Sequence, residues 1–290
     1  MSRTDLVSSD FANDTVWDIK NADIIRAQLS DSLYDIVVNM ISNKISKIFI
    51  FEKQRPVGVI TDKDIIRFLY NERSGRRFDQ ISAGEVMNNI CYVVNSLTCK
   101  QAAQMMLINK ISSLGIGSSK SIEGIITKTD LLQYYVNRFH DSSSVLDFMT
   151  VSYFSATVES RLTEIIKKMI TCDISRVLLT ENQKPVGVIT NGDIFRITMS
   201  INKLSIVQTA LTSNSEENRL WSESGFVGSK QAGEAMTEGI ITISSSQSMK
   251  YAAQMMLEKK IDSLGVNNSN GDLVGIINKT NILYAIANAK

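Results

Sequence analysis

A threonine and an aspartate recur three residues apart in this chain, each time directly after a glycine-led apolar run. Pro56-Val-Gly-Val-Ile-Thr61-Asp-Lys-Asp64 returns as Pro185-Val-Gly-Val-Ile-Thr190-Asn-Gly-Asp193, and these strings hold the only two prolines. Weaker echoes follow each one, Gly124-Ile-Ile-Thr127-Lys-Thr-Asp130 and Gly275-Ile-Ile-Asn278-Lys-Thr-Asn281. The apolar run reads as a strand and the residues after it as a helix. The hydroxyl and carboxylate therefore fall at a strand-to-helix junction, where the first helical N–H groups lack intrahelical partners and the dipole favours an anion. A glycine such as Gly58 inside the strand leaves the backbone bare where something must approach closely. Capping the helix is the simpler use of Thr-x-x-Asp. Capping, however, needs no constant Gly-hydrophobic-hydrophobic run before it, so the recurrence favours a ligand role.

The elements that place these residues form four copies of one unit. A repeat of this kind settles the architecture before any single residue does. The copies fall into two kinds. Lys47 to Arg176 spans the same distance as Thr61 to Thr190, so repeats 1 and 3 align without a gap. Repeats 2 and 4 share Ala102-Ala-Gln-Met-Met-Leu107 with Ala252-Ala-Gln-Met-Met-Leu257, Ser113-Leu-Gly115 with Ser263-Leu-Gly265, and Ala83-Gly-Glu85 with Ala232-Gly-Glu234. The order A-B-A′-B′ predicts a duplicated two-unit block and two modules, each with a pseudo-two-fold axis.

In repeat 1, Val16-Trp-Asp-Ile19 opens the unit and a short strand is expected near Ile24-Ile25. Ser32 and Asp35 read as a capping pair for a helix through Met40. Lys47-Ile-Phe-Ile-Phe51, the polar turn Glu52-Lys-Gln-Arg55 and Val57-Gly-Val-Ile60 read as an antiparallel hairpin. The motif then caps a last helix, Ile65–Tyr70. The unit is β-α-β-β-α, and at about 55–60 residues it is small for an independent core, so pairing of units is expected. The fold class is α+β. Repeat boundaries fall at 1–72, 78–137, 143–200 and 231–290, with a Ser- and Asn-rich, partly helical insertion at 201–230 carrying Trp221.

Composition narrows the function classes. The 31 basic residues nearly balance the 30 acidic ones, which gives no support for nucleic acid as a partner. No apolar run is long enough to span a membrane, and Met1-Ser-Arg-Thr-Asp-Leu lacks a secretory apolar segment. Cys91, Cys99 and Cys172 have no metal or redox spacing, which fits a reducing cytoplasm. His140 has no partners for a triad or metal site, so neither catalytic nor metal-ligating residues are assigned. Gly225-Phe-Val-Gly-Ser-Lys230 is too short for a phosphate loop and reads as a flexible loop. The Met105-Met106 and Met255-Met256 pairs read as core.

A tandem β-α-β-β-α unit ending in Gly-hydrophobic-hydrophobic-Thr-x-x-Asp resembles the cystathionine-β-synthase (CBS) domain, and four of them resemble two tandem Bateman modules. The resemblance implies inter-repeat clefts that bind adenine nucleotides. It implies that Asp64, Asp130 and Asp193 accept hydrogen bonds from ribose, while Thr61, Thr127 and Thr190 contact ribose or phosphate. The family often carries a phosphate-binding cation where this chain has Lys47 and Arg176, with Ser113 and Ser263 in the other two repeats. The plainer reading of these two cations is a pair of solvated strand-edge charges. Lys63, inside the first motif, is a further candidate cation. The Asp64 and Asp193 sites therefore rank first, Asp130 is intermediate, and Asn278 and Asn281 leave repeat 4 weak or empty, since a neutral amide accepts less strongly than a carboxylate.

The resemblance thus implies a non-enzymatic energy-sensing or regulatory protein that needs no catalytic cofactor. Its ligand is AMP, ADP or ATP, and it signals by rearranging its repeats to an unidentified protein partner, with a homodimer as a further expectation. The alternatives are a scaffold or regulatory interaction subunit with vestigial clefts, and a sensor of S-adenosylmethionine.

Overall fold

The computed structural model describes residues 14–72, 76–139, 142–203 and 230–289. Within them each repeat contributes three strands to a small sheet, the sheet of repeat 3 being extended by a short strand of repeat 4. In repeat 1 the strands are β1 (Arg26–Gln28), β2 (Lys47–Glu52) and β3 (Arg55–Thr61), with helices α1 (Val16–Ile19), α2 (Leu33–Ser42) and α3 (Asp62–Asn71). Repeat 2 has α4 (Ala83–Val86), β4 (Tyr92–Val93), α5 (Cys99–Ile108), β5 (Ser113–Gly117), β6 (Ile122–Thr127) and α6 (Lys128–Arg138). Repeat 3 has α7 (Val145–Phe148), β7 (Ser155–Thr157), α8 (Leu162–Thr171), β8 (Arg176–Glu181), β9 (Lys184–Thr190) and α9 (Asn191–Lys203). Repeat 4 opens with a 3₁₀ turn at Ala232–Glu234, followed by β10 (Thr237–Glu238), β11 (Thr242–Ser244), α10 (Met249–Glu258), β12 (Ser263–Asn267), β13 (Leu273–Asn278) and α11 (Lys279–Asn288). The α+β class follows directly.

Local chemistry accounts for the elements. Ser32 Oγ accepts from Asp35 N while the Asp35 carboxylate takes Ser32 N, so α2 starts on a closed capping box. One face of α2 buries Leu33, Ile36, Val37 and Met40. The β2–β3 hairpin turns at Lys53 with a positive φ, and the β8–β9 hairpin turns through Asn182 and Gln183, both also at positive φ. A two-residue turn of this hand matches the strand twist. The first strand lies at Arg26–Gln28, after the expected Ile24-Ile25, because its register is set by parallel pairing with Phe49–Phe51. Of the expected 201–230 insertion, α9 continues to Lys203 and 204–229 lies outside the described residues, as do His140, Trp221 and Gly225–Ser229.

The chain forms two compact units. One comprises Ile25–Asn89 and Phe154–Ile240; the other comprises residues up to Ile24, Ile90–Tyr153 and the chain from Ile241. Repeats 1 and 3 share the first core, with Ile36, Met40, Ile50, Ile60 and Ile65 against Ile166, Leu179, Ile189 and Ile194. Repeats 2 and 4 share the second, with Met106, Leu114, Ile126 and Tyr135 against Met256, Leu264, Ile277 and Ile286. Met106 and Met256 are fully buried, in keeping with the core reading of the methionine pairs. Among the described residues no helix is long and apolar enough to cross a membrane.

Adjacent repeats are linked differently, by exchange of their opening segments. Asn21, which leads into repeat 1, pairs with Ile125 of repeat 2, and Asn88, from the start of repeat 2, pairs with Val59 of repeat 1. The second half repeats the pattern: Thr150 pairs with Ile276 and Thr237 with Val188. Each opening segment thus lies antiparallel to the motif strand of the neighbouring repeat.

Candidate functional site

All four strand-to-helix junctions have the same backbone geometry. Asp64 Oδ2 accepts from Thr61 N at 2.9 Å and from Thr61 Oγ1 at 2.6 Å, and Asp64 N donates back to Thr61 Oγ1. Asp130 Oδ2 takes Thr127 N and Oγ1, both at 2.7 Å, and Asp193 Oδ2 takes Thr190 N at 2.8 Å and Oγ1 at 2.5 Å. Asn281 Oδ1 accepts from Asn278 N at 2.8 Å. Capping therefore occupies one carboxylate oxygen at the three aspartate sites and the amide oxygen at Asn281. The same box recurs at Thr15–Asp18 and Ser144–Asp147 without the preceding glycine strand. Capping and ligand binding are compatible, because they draw on different oxygens of one carboxylate.

The junction N–H groups differ from the expectation of unpaired donors. Asp62 N donates to Ser46 O, Lys128 N to Ser112 O, Asn191 N to Ser175 O and Lys279 N to Asp262 O. The next donors are also taken at three junctions: Lys63 N by Asp62 Oδ1, Thr129 N by Thr127 Oγ1 and Thr280 N by Asn278 Oδ1. The residue before the hairpin reaches each helix start and satisfies it locally. Charge at these sites must then come mainly from side chains.

Lys47 stands directly opposite Thr61 in the β2–β3 register, and Arg176 directly opposite Thr190. Ser113 and Ser263 occupy the same position opposite Thr127 and Asn278. Lys63 is engaged elsewhere, 2.5 Å from Asp173 Oδ1, which Arg67 also contacts. At repeat 2 a cation from the exchanged opening segment packs on the motif strand. Lys20, from the exchanged opening segment, lays its stem across Gly124, with its ammonium 3.1 Å from the Trp17 ring centroid. Nothing in the linear motif signals this packing, because Lys20 precedes repeat 2 by a whole unit.

Exchange also explains the constant glycine. A Cβ on Gly58 would lie 2.4 Å from Met87 Sδ, and one on Gly187 would lie 2.6 Å from Met236 Sδ. On Gly124 it would meet Lys20 Cδ at 2.6 Å, and on Gly275 Met149 Sδ at 3.0 Å. The close approach inferred from the sequence is real, and the group that approaches is the chain's own opening segment.

The second carboxylate oxygen separates the sites. Asp64 and Asp130 are half-buried, and Oδ1 of each accepts no hydrogen bond among the described residues. Asp193 is buried at 4 % exposure, and its Oδ1 accepts from Thr237 Oγ1 at 2.8 Å and from the Arg196 guanidinium. Asn281, also buried, donates through Nδ2 to Phe148 O at 2.8 Å and to Thr150 Oγ1 at 3.2 Å. An aspartate there could not make those donations, which gives the departure from the motif a structural reason. Among the described residues there is no group of three or more His, Cys, Asp or Glu side chains able to hold a metal.

Comparison with known proteins identifies the family and the fold. The family model described as "CBS domain" matches residues 16–71, 145–200 and 232–288, which correspond to repeats 1, 3 and 4. Uncharacterized protein MJ1225 of Methanocaldococcus jannaschii is 21% identical over 283 residues, covering 92% of this chain and 97% of that protein. The crystal structure of MJ1225 superposes with a TM-score of 0.80 at 20% identity, covering 94% of this chain and all of that one. An uncharacterized conserved protein from Pyrococcus horikoshii gives a TM-score of 0.61 at 16% identity, covering 94% of this chain and 99% of that one. These structural likenesses establish the fold, and the family model spans more than half of the sequence. The chain belongs to the CBS-domain family.

Proposed function

We infer that this protein is a regulatory, non-enzymatic CBS-domain protein that binds an adenine nucleotide at its Thr-x-x-Asp junctions. The observation that carries this reading is the open Oδ1 of Asp64 and of Asp130, each beside a capped helix start. An ionised oxygen with both lone pairs available suits the two hydroxyls of a ribose, and charge-assisted bonds of this kind are the strong ones. Lys47, opposite Thr61, is the cation proposed to meet phosphate at repeat 1; Arg176 holds the same register position at repeat 3. Thr61 and Thr127 hold the carboxylates in place, and Thr61 Oγ1, which accepts only from Asp64 N, retains acceptor capacity toward the ligand. Lys63 contributes only by leaving Asp173. MJ1225 has been put forward as an archaeal homolog of g-AMPK, which agrees with an adenine-nucleotide ligand.

Regulation follows if a nucleotide favours one arrangement of the repeats over another, since a ligand shifts an equilibrium only through differential affinity. A protein partner would read that shift. The reading is tested by titrating the full chain with AMP, ADP, ATP and S-adenosylmethionine, following heat and melting temperature. Saturable binding of an adenine nucleotide is expected. Silence with the whole panel would leave the vestigial-cleft scaffold, a reading favoured by the occupied state of Asp193 and Asn281.

A further inference from the structure

The four junctions divide into two classes, and the dividing residue lies in the exchanged opening segment. Opposite the residue after the motif glycine stand Asn88 at repeat 1, Asn21 at repeat 2, Thr237 at repeat 3 and Thr150 at repeat 4. Where the position is asparagine, the motif carboxylate keeps an open oxygen: among the described residues the exposed Asn88 side chain makes no hydrogen bond, and Asn21 Oδ1 instead accepts Asp23 N at 2.9 Å. Where it is threonine, the hydroxyl reaches the motif side chain. Asp193 then has four donors on its two oxygens: Thr190 N, Thr190 Oγ1, Thr237 Oγ1 and Arg196. A carboxylate offers about four lone-pair sites, so Asp193 has none left for a diol. Its burial agrees with this. At repeat 4 the amide of Asn281 closes the position by donating to Phe148 O and Thr150 Oγ1.

We propose that the threonines of the exchanged segments act as internal occupants of the repeat 3 and repeat 4 junctions, so that nucleotide binding is confined to repeats 1 and 2. Thr237 is the site-selecting residue, because its hydroxyl closes a junction that otherwise has an intact Thr-x-x-Asp motif and a facing cation. Arg196 is a weaker obstacle, with a side chain 69% exposed on a flexible stem. The proposal rests on the nucleotide-binding reading, but its structural half, the Thr237–Asp193 contact, can be tested without any ligand.

The binding test is stoichiometry by equilibrium dialysis with AMP, ADP and ATP on the full chain. Wild type should bind no more than two nucleotides, with sites lost in Asp64→Asn and Asp130→Asn and none lost in Asp193→Asn. Thr237→Val should add a site that Asp193→Asn then removes, and Asn88→Thr should weaken the repeat 1 site by about tenfold. A wild-type site lost in Asp193→Asn, or a site lost in Thr237→Val, would overturn the proposal. The second measurement is a thermal double-mutant cycle on Thr237→Val and Asp193→Asn. The double variant should lose clearly less melting temperature than the two single losses added together. Strict additivity would refute the internal contact even if no nucleotide binds, whereas coupling in a protein that binds nothing would count against the nucleotide reading alone.

Discussion

Thr237 Oγ1 lies 2.8 Å from Asp193 Oδ1, whereas Asn88, in the same register position against repeat 1, leaves Asp64 Oδ1 unclaimed among the described residues. Two junctions with nearly identical motifs therefore differ in what they can accept. The difference is imposed from a neighbouring repeat rather than from the motif itself.

The first prediction assigns separate roles at repeat 1. Asp64 carries the open oxygen, and Lys47 faces Thr61 across the hairpin. Loss of a charge-assisted hydrogen bond should cost on the order of 1.5–3 kcal/mol. Lys47→Ala should weaken AMP far more than adenosine, while Asp64→Ala should weaken both. Calorimetry showing equal losses for AMP and adenosine in Lys47→Ala would remove the phosphate role.

Asn281 supports a second prediction. It is buried, completes the α11 capping box by accepting from Asn278 N, and donates to Phe148 O. Asn281→Ala should cost the cap, about 1 kcal/mol, plus about 1–3 kcal/mol for a carbonyl stripped of its donor. The total exceeds what the motif alone suggests. Asn281→Asp should also destabilise, because a carboxylate brings an acceptor to an acceptor. Urea unfolding would check both, and an Asn281→Asp variant as stable as wild type would contradict the assignment.

A third prediction concerns the exchanged segments. Gly58→Ala should destabilise by about 1–3 kcal/mol, since its Cβ enters the space of Met87. Truncation of Met87 to alanine in the same chain should recover part of that loss. The expected sign of coupling is favourable in the double variant, and additive losses would show that Met87 is not what excludes the side chain.

Cys99 gives a pH dependence. Its thiol is buried and donates to Thr15 O at 3.5 Å, and burial, with help from Asp14 and Asp18, pushes its pKa from 9.0 up to about 12. The folded chain holds this proton more tightly than the unfolded chain, so stability is intact below pH 9.0 and declines as pH rises toward about 12. Thiol reagents at neutral pH should modify exposed Cys172 first and Cys99 last. Cys99→Ala should flatten the alkaline decline in melting temperature; an unchanged decline would assign it to other groups.

Much of this was legible in the sequence. The recurrence of Pro-Val-Gly-Val-Ile-Thr fixes the hairpin, and a hairpin's register places Lys47 against Thr61 and Arg176 against Thr190. Capping was equally readable, because Thr61 and Asp64 act within one helical turn. What escaped detection depends on contacts between distant segments. Lys20 packs on Gly124, and Thr237 donates to Asp193 across an exchanged strand, contacts that no local pattern encodes. The expectation of free helix donors also failed, because Ser46 O and its counterparts reach back to each helix start. Asp193, ranked with Asp64 from its motif and cation, is chemically the more occupied of the two.

The central claim is that the open carboxylates of Asp64 and Asp130 bind an adenine nucleotide. Isothermal titration of the wild-type chain against AMP, ADP and ATP, repeated on the Asp64→Asn/Asp130→Asn double variant, tests it most directly. The account predicts saturable wild-type binding, stabilisation of about 2.7 kcal/mol per site at a hundredfold excess over Kd, and loss of both in the double variant. Undiminished binding in that variant, or no binding in wild type, would contradict it.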